Sequence, residues 1–281
     1  KTYYSRRVVR IGFPYIIALT AGFLLALSQG AEFAESIRAY GLGLIYSYTL
    51  FNDGALNPIL FVSWTLEIEI QFYLLAPLLC KVFAIRSSVA RIAILAIGMY
   101  GICHVCDWFA PYFSYSLRSH SILGQLQFFL AGLLLGELYI TYWKNNPSKP
   151  SLRWIWDIVG IAAWLFIPFS LHVDKSFYWL SFLLLLAFTC VLRGSLLKKL
   201  LSLRPIATIG GMCYSIYLFH GACLQWIFYN IIWLFFGGNK DIWPHNLVPL
   251  FFLTILTLLG CSIAYYFIER PSMLWGSKTK K

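Results

Sequence analysis

The stretch Ser63-Trp64-Thr65-Leu66-Glu67-Ile68-Glu69-Ile70-Gln71-Phe72-Tyr73 places two carboxylates and an amide inside an otherwise apolar run. A charge in such a run costs roughly 2.5–3.5 kcal/mol on insertion scales, so each one needs a reason to be there. On a helix Thr65, Glu69 and Tyr73 are successive i,i+4 neighbours and share a face. Glu67 and Gln71 form a parallel pair about 160° further round. A carboxylate beside a phenol can orient a hydroxyl, take up its proton, or donate to a developing negative charge. The same groups can instead lock helices together through interhelical hydrogen bonds. The second group is Tyr214-Ser215-Ile216-Tyr217-Leu218-Phe219-His220, in which Tyr217 and His220 are i,i+3 neighbours. Histidine is the side chain best able to exchange a proton near neutral pH, and it is also common as a hydrogen-bonded core residue.

Two further clusters are charged. Arg6, Arg7 and Arg10 precede an apolar run. Such arginines anchor a span at the headgroups, and they also bind phosphate oxygens in a bidentate manner. Ile268-Glu269-Arg270-Pro271 closes the last apolar run. Glu269 there can pair with a basic group, and Pro271 is expected to stop the helix. Glu137, close to the end of another run, reads as one half of a structural ion pair. Cys103 and Cys106 bracket His104, but with no second ligand pair nearby they read as packing residues and imply no metal site. No P-loop, dinucleotide fingerprint, zinc motif or nucleophile elbow is present.

The elements that carry these residues are membrane spans. Hydrophobic residues make up 60% of the chain and charged ones 12%, with a mean hydropathy of +0.72. A water-soluble domain has about 25% charged residues, so that class is excluded. A bilayer core of ~30 Å needs about 20 apolar residues in helical form. Eight stretches qualify, near 11–30, 59–81, 89–106, 121–142, 154–171, 176–192, 207–236 and 247–268. The segment 41–51 is too short to cross and reads as re-entrant or interfacial. With that assignment, all of the 22 Lys and Arg residues except Arg38, Arg118, Lys175 and Lys240 fall on one side. The positive-inside rule makes that side cytoplasmic, including the basic segment at the start and the C-terminus. Topology therefore accounts for the net charge of +11, and a nucleic-acid partner is not implied. The expected fold class is all-α: a polytopic transmembrane helix bundle of about eight spans, forming one domain over 1–281.

Read in order, these motifs resemble the acyltransferase-3 family of membrane O-acyltransferases. The family's aromatic–Ser-Leu–Glu–Gln-Phe-Tyr pattern is similar to Trp64 through Pro77, with Glu69 aligned. Its Arg-x-x-Arg element followed by Pro-Tyr is similar to Arg7, Arg10, Pro14 and Tyr15. Its Tyr-Ser-x-Tyr-Leu-x-His element is similar to Tyr214 through His220, and its Glu-Arg-Pro to Glu269 through Pro271. Thr65 stands where the family often has Ser, Ile70 where it often has a second Glu, and Glu67 where a small residue is usual. The last departure leaves Glu67 without a family role.

The resemblance implies transfer of an acyl group, usually acetyl, from cytoplasmic acyl-CoA to a hydroxyl of a cell-surface or lipid-linked glycan at the bacterial plasma (inner) membrane. Arg7 and Arg10 would bind the acetyl-CoA phosphates. Glu69, Tyr73, Tyr217 and His220 would support the chemistry. Family members have ten spans and, on the first, a histidine regarded as the catalytic base, so a longer chain is expected, with two spans, the main base and about 60–80 residues before Lys1. A transporter or flippase for a lipid-linked sugar would also need intramembrane carboxylates, yet no internal repeat is visible. A non-catalytic polysaccharide-assembly subunit is the third class.

Overall fold

The computed structural model describes residues 2–146, 148–170, 177–227 and 247–278. Among the described residues the elements are helical and no strand occurs. Hydrocarbon offers the main chain no hydrogen-bonding partner, and a helix satisfies its own N–H and C=O groups. In chain order the helices are α1 (Thr2–Ser28), α2 (Phe33–Leu44), α3 (Tyr48–Phe51), α4 (Ser63–Leu79), α5 (Ser88–Trp108), α6 (Tyr115–Ser119), α7 (Ile122–Leu138), α8 (Arg153–Ser170), α9 (Phe177–Arg193), α10 (Leu196–Leu201), α11 (Arg204–Gly211) and α12 (Cys213–Ile227). Two more helices follow, Leu247–Ala264 and Arg270–Lys278.

Among the described residues five helical stretches are long and apolar enough to cross a membrane: Arg10–Ser28, Ser88–Trp108, Tyr115–Trp143, Pro150–Ser170 and Phe251–Leu274. The pair Arg204–Gly211 and Cys213–Leu224 makes a sixth if it is one broken span, bent by 74°. The bend falls directly after Gly210-Gly211, where the helix lacks side-chain support. The remaining expected spans are shorter than the sequence suggests. The 59–81 run forms a 17-residue helix, Ser63–Leu79, and tightens into a 3-10 turn over Cys80–Ala84 after Pro77. The 176–192 run gives the apolar helix Trp179–Arg193. Residues 228–236 of the 207–236 run lie outside the described residues. Segment 41–51 is no continuous helix: α2 ends at Leu44, Tyr46 turns the chain at φ 53°, and α3 has four residues.

The chain forms two compact units. The first comprises Lys1–Tyr48, Leu56–Ser63 and Thr208–Lys281. In it α1 packs on α2, on α12 and on the Arg270–Lys278 helix. Fully buried Tyr15 donates to the Gly43 carbonyl at 2.9 Å and stacks on Tyr46 with ring centroids 4.6 Å apart. Gly43 allows this close approach: a Cβ would lie 2.9 Å from a Leu19 methyl and 3.2 Å from the Asn57 amide, so both side chains would have to shift. Asn57 in turn donates to the Ala39 carbonyl and accepts from the Ile59 amide.

The second unit comprises Thr49–Ala55 and Trp64–Ala207. Helices α5 and α7 share a core of Leu95, Met99, Leu130, Ala131 and Leu134. Buried Cys103 donates to Gln127 at 3.1 Å within this interface. At its end Arg91 pairs with Glu137 at 2.6 Å, and Thr141 donates to the same carboxylate, so Glu137 is the structural ion pair expected. Helices α8 and α9 pack together and both meet α10. Asp157 of α8 joins them: it accepts the Ser195, Leu196 and Leu197 amides and the Ser195 hydroxyl, all at 3.0–3.1 Å. These amides open α10, where a carboxylate is favoured by the unsatisfied N–H groups and the helix dipole.

Asp157→Ala removes the acceptor for several amides at once, each worth about 1–3 kcal/mol when left unpaired away from water. The expected outcome is a clear fall in the thermal midpoint of the detergent-solubilised protein. Asp157→Asn, which keeps one acceptor oxygen, is expected to lose less.

Candidate active-site residues

The candidate residues fall into two sets, one in each unit. Arg7, Arg10, Tyr217 and His220 belong to the first unit, and Glu69 and Tyr73 to the second.

In the first unit, Arg7 and Arg10 lie in the early turns of α1 at i,i+3 spacing, Arg7 half-buried and Arg10 exposed. Buried Pro14 follows in the same helix. It has no N–H to return to the Arg10 carbonyl, so the helix loses one internal bond beside the arginine pair. One residue on, the Ile11 carbonyl accepts the hydroxyl proton of Tyr214 at 2.7 Å, which joins α1 to α12. The neighbouring Ser215 is fully buried. Its amide and its hydroxyl both donate to one oxygen of Glu269, at 2.9 and 2.6 Å. The sequence reading gave Glu269 a basic partner. The structure gives it Ser215 instead, so the Tyr-Ser and Glu-Arg-Pro motifs form one hydrogen-bonded unit.

The helix also does not stop at Pro271. A π turn over Tyr265–Glu269 closes with the Arg270 amide on the Tyr265 carbonyl, and a further helix runs from Arg270 to Lys278. Proline is tolerated there because it stands in the first turn of the new helix, where its missing N–H leaves no bond unmade.

Further along α12, the Tyr217 hydroxyl donates to the Val62 carbonyl at 2.6 Å. His220 is half-buried, with Nδ1 2.8 Å from the Tyr217 carbonyl and 3.0 Å from the Ile216 carbonyl. A carbonyl only accepts, so Nδ1 must carry the proton. In the neutral ring Nε2 then holds a lone pair, the state a proton acceptor needs. Phe61 meets this ring edge-on at 5.9 Å, and Gly221 gives it room, since a Cβ there would lie 2.8 Å from the Phe61 ring.

In the second unit, the polar residues of α4 divide as their helical spacing indicates. Glu67 is fully buried and accepts the Thr49 amide of α3 at 3.0 Å. Gln71 accepts the Ile122 amide, the first of α7, at 3.0 Å. This face is structural, which supplies the reason for Glu67 that the motif comparison lacked. On the other face the hydroxyl of buried Tyr73 donates to half-buried Glu69 within the same helix. Sequence reasoning passed over His120: its Nδ1 lies 2.8 Å from the Gly54 carbonyl and its ring 4.7 Å from that of Trp64. It stands in a polar loop, so no insertion cost marked it. Asp157 was missed because it lies at the edge of an apolar run where a charge is unremarkable.

Glu269→Ala leaves a buried N–H and a buried hydroxyl without their acceptor, each costing about 1–3 kcal/mol. The expected result is a lower thermal midpoint than Ser215→Ala gives, with Glu269→Gln between the parent and Glu269→Ala. Equal midpoints for parent and Glu269→Ala would contradict the bonding described.

Comparison with known proteins places the chain in a family. The chain is 27% identical over 247 residues to the O-acetyltransferase OatA of Staphylococcus aureus strain NCTC 8325 / PS 47, an alignment covering 81% of this chain and 38% of that protein. It is 24% identical over 237 residues to a putative O-acetyltransferase of S. aureus strain COL, covering 76% of this chain and 36% of that protein. The aligned part is thus well under half the length of these relatives. No solved structure matches the chain significantly. The sequence profile of the acyltransferase-3 family, described as an acyltransferase domain, matches residues 1–266, nearly the whole chain. The chain belongs to that family.

Proposed function

We propose that this chain is the membrane part of an O-acyltransferase that moves an acyl group, acetyl by preference, from cytoplasmic acyl-CoA to a hydroxyl of a cell-surface or lipid-linked glycan. In this reading it resides in a bacterial plasma membrane with its basic N-terminal segment and its C-terminus on the cytoplasmic side. The observation that carries the reading is the bonding within the first unit. Tyr214 to Ile11, and Ser215 to Glu269, hold together the three segments that bear the Arg-x-x-Arg, Tyr-Ser-x-Tyr-Leu-x-His and Glu-Arg-Pro motifs. The family match and the two relatives named as O-acetyltransferases support it.

The chemistry is attack of a glycan hydroxyl on the thioester carbonyl. The O–C bond forms as a base takes the hydroxyl proton. The resulting oxyanion is held by hydrogen-bond donors, and the C–S bond then breaks to release the CoA thiol, which recovers a proton. Arg7 and Arg10 can grip donor phosphates, because guanidinium groups pair with phosphate oxygens through two parallel N–H bonds. His220 presents Nε2 as a proton acceptor, held in that tautomer by two main-chain carbonyls. Tyr217 donates its proton to the Val62 carbonyl, which fixes the direction of its hydroxyl on α12. Glu69, with Tyr73 donating to it, can accept from a sugar hydroxyl and fix its direction.

The test is acetyl-CoA turnover by the full-length protein in liposomes, followed by thiol release in the presence of the cell's own glycan fraction. Arg7→Ala with Arg10→Ala is expected to raise the acetyl-CoA KM by about tenfold or more, the loss of one good charge-assisted contact. An unchanged KM in folded protein would remove both arginines from donor binding.

A further inference from the structure

The second unit contains a cavity of about 460 Å³ where the ends of α7, α8 and α9 meet α10. Five cations line it: Lys144, Arg153, Arg193, Lys198 and Lys199. No carboxylate lines it, and among the described residues none of the five has a carboxylate partner. Asp157, at the start of α10, is already saturated by the amides of residues 195–197 and the Ser195 hydroxyl.

Arg193 is built into the wall. Its guanidinium carbon lies 5.6 Å from the Trp143 ring centroid and 5.3 Å from that of Trp156, a cation held between two indoles. Its Nε is buried with no hydrogen-bond partner among the described residues. The surrounding loop is fixed as well. Ser148 donates to the Arg193 carbonyl at 2.5 Å, and Arg153 donates through Nε to the Ser148 carbonyl at 3.2 Å. Five like charges around one concavity, with an unmatched buried donor, repel one another unless an anion sits among them.

We infer that this cavity binds a phosphate-bearing anion. A phosphate offers several acceptor oxygens, matches the arginine fork, and tolerates lysines as point charges. The volume falls within the usual range for a small-molecule site, about 300–1,000 Å³. Two sources share this chemistry. One is the headgroup of an anionic phospholipid: the cavity lies at the ends of three apolar helices on the basic side of the chain, and exposed Tyr139 and Leu192 flank the charges as acyl chains would require. The other is a soluble phosphate ester, CoA included. The site contains neither Arg7 nor Arg10, so the inference does not rest on the proposed reaction.

The experiment measures binding directly, by titration of the purified full-length protein in a neutral detergent. The probes are short-chain phosphatidylglycerol, short-chain phosphatidylcholine and CoA, and the variant is Lys198→Gln with Lys199→Gln. Both lysines are exposed, and Lys144→Gln serves as an independent second variant. At about a factor of five per lysine near a charged headgroup, the double substitution is expected to weaken anion binding by about tenfold or more. Loss of phosphatidylglycerol affinity with phosphatidylcholine and CoA unaffected supports the site and names the lipid as source. Loss of CoA affinity, with that of phosphatidylglycerol unaffected, supports the site and names the soluble ester. If neither anion's affinity falls in both folded variants, the inference is overturned.

Discussion

The Glu269 carboxylate, buried against Ser215, is the interaction on which the first unit depends. A carboxylate away from water is stable only where donors meet it, and here a main-chain amide and a hydroxyl do so on one oxygen. That pairing fixes the register of α12 against the π turn that ends the Leu247–Ala264 helix. Once α12 is fixed, its neighbouring Tyr214 reaches the Ile11 carbonyl of α1. Two turns further along, His220 then has its ring held by two carbonyls. Sequence segments from opposite ends of the chain are brought together by polar bonds, in surroundings where apolar packing alone is poorly directional.

The same constraint organises the second unit with different residues. Glu137 is met by Arg91 and Thr141, Asp157 by the start of α10, Glu67 by α3 and Gln71 by α7. Each of these polar groups has a partner on another element or the next turn, and each is thereby explained as structure. What remains is informative. Among the described residues Glu69 is bonded only within its own helix, to Tyr73, which leaves it oxygen lone pairs to offer. The five cations around the α7–α9 ends have no acid among them.

Much of this was legible in the sequence, and the reasons differ by residue. Apolar runs of the right length located five spans, with ends displaced by up to six residues, because hydropathy is a local property while helix ends depend on caps and packing. The division of α4 into a Thr65–Glu69–Tyr73 face and a Glu67–Gln71 face followed from helical spacing alone. The Ser215–Glu269 bond was not legible, since its partners are 54 residues apart and nothing in composition couples them. Asp157 and its amides, 38 residues apart, were hidden for the same reason. The length of the 59–81 and 207–236 runs misled, because Pro77 tightens one and Gly210-Gly211 bends the other while their hydropathy stays high. The basic cavity was spread over two segments, 139–153 and 192–202, where each lysine alone reads as a topology signal.

The central claim is that an acyl group crosses from a cytoplasmic thioester to a glycan hydroxyl through the protein that contains this chain. The most direct measurement supplies acetyl-labelled acetyl-CoA to the cytoplasmic face of inside-out vesicles and follows the label into lipid-linked or cell-surface glycan. Label is expected on the glycan as an ester released by mild alkali, with none when the protein is absent. Glycan that crosses the membrane in a protein-dependent manner yet carries no label would contradict it, and would assign the chain to transport.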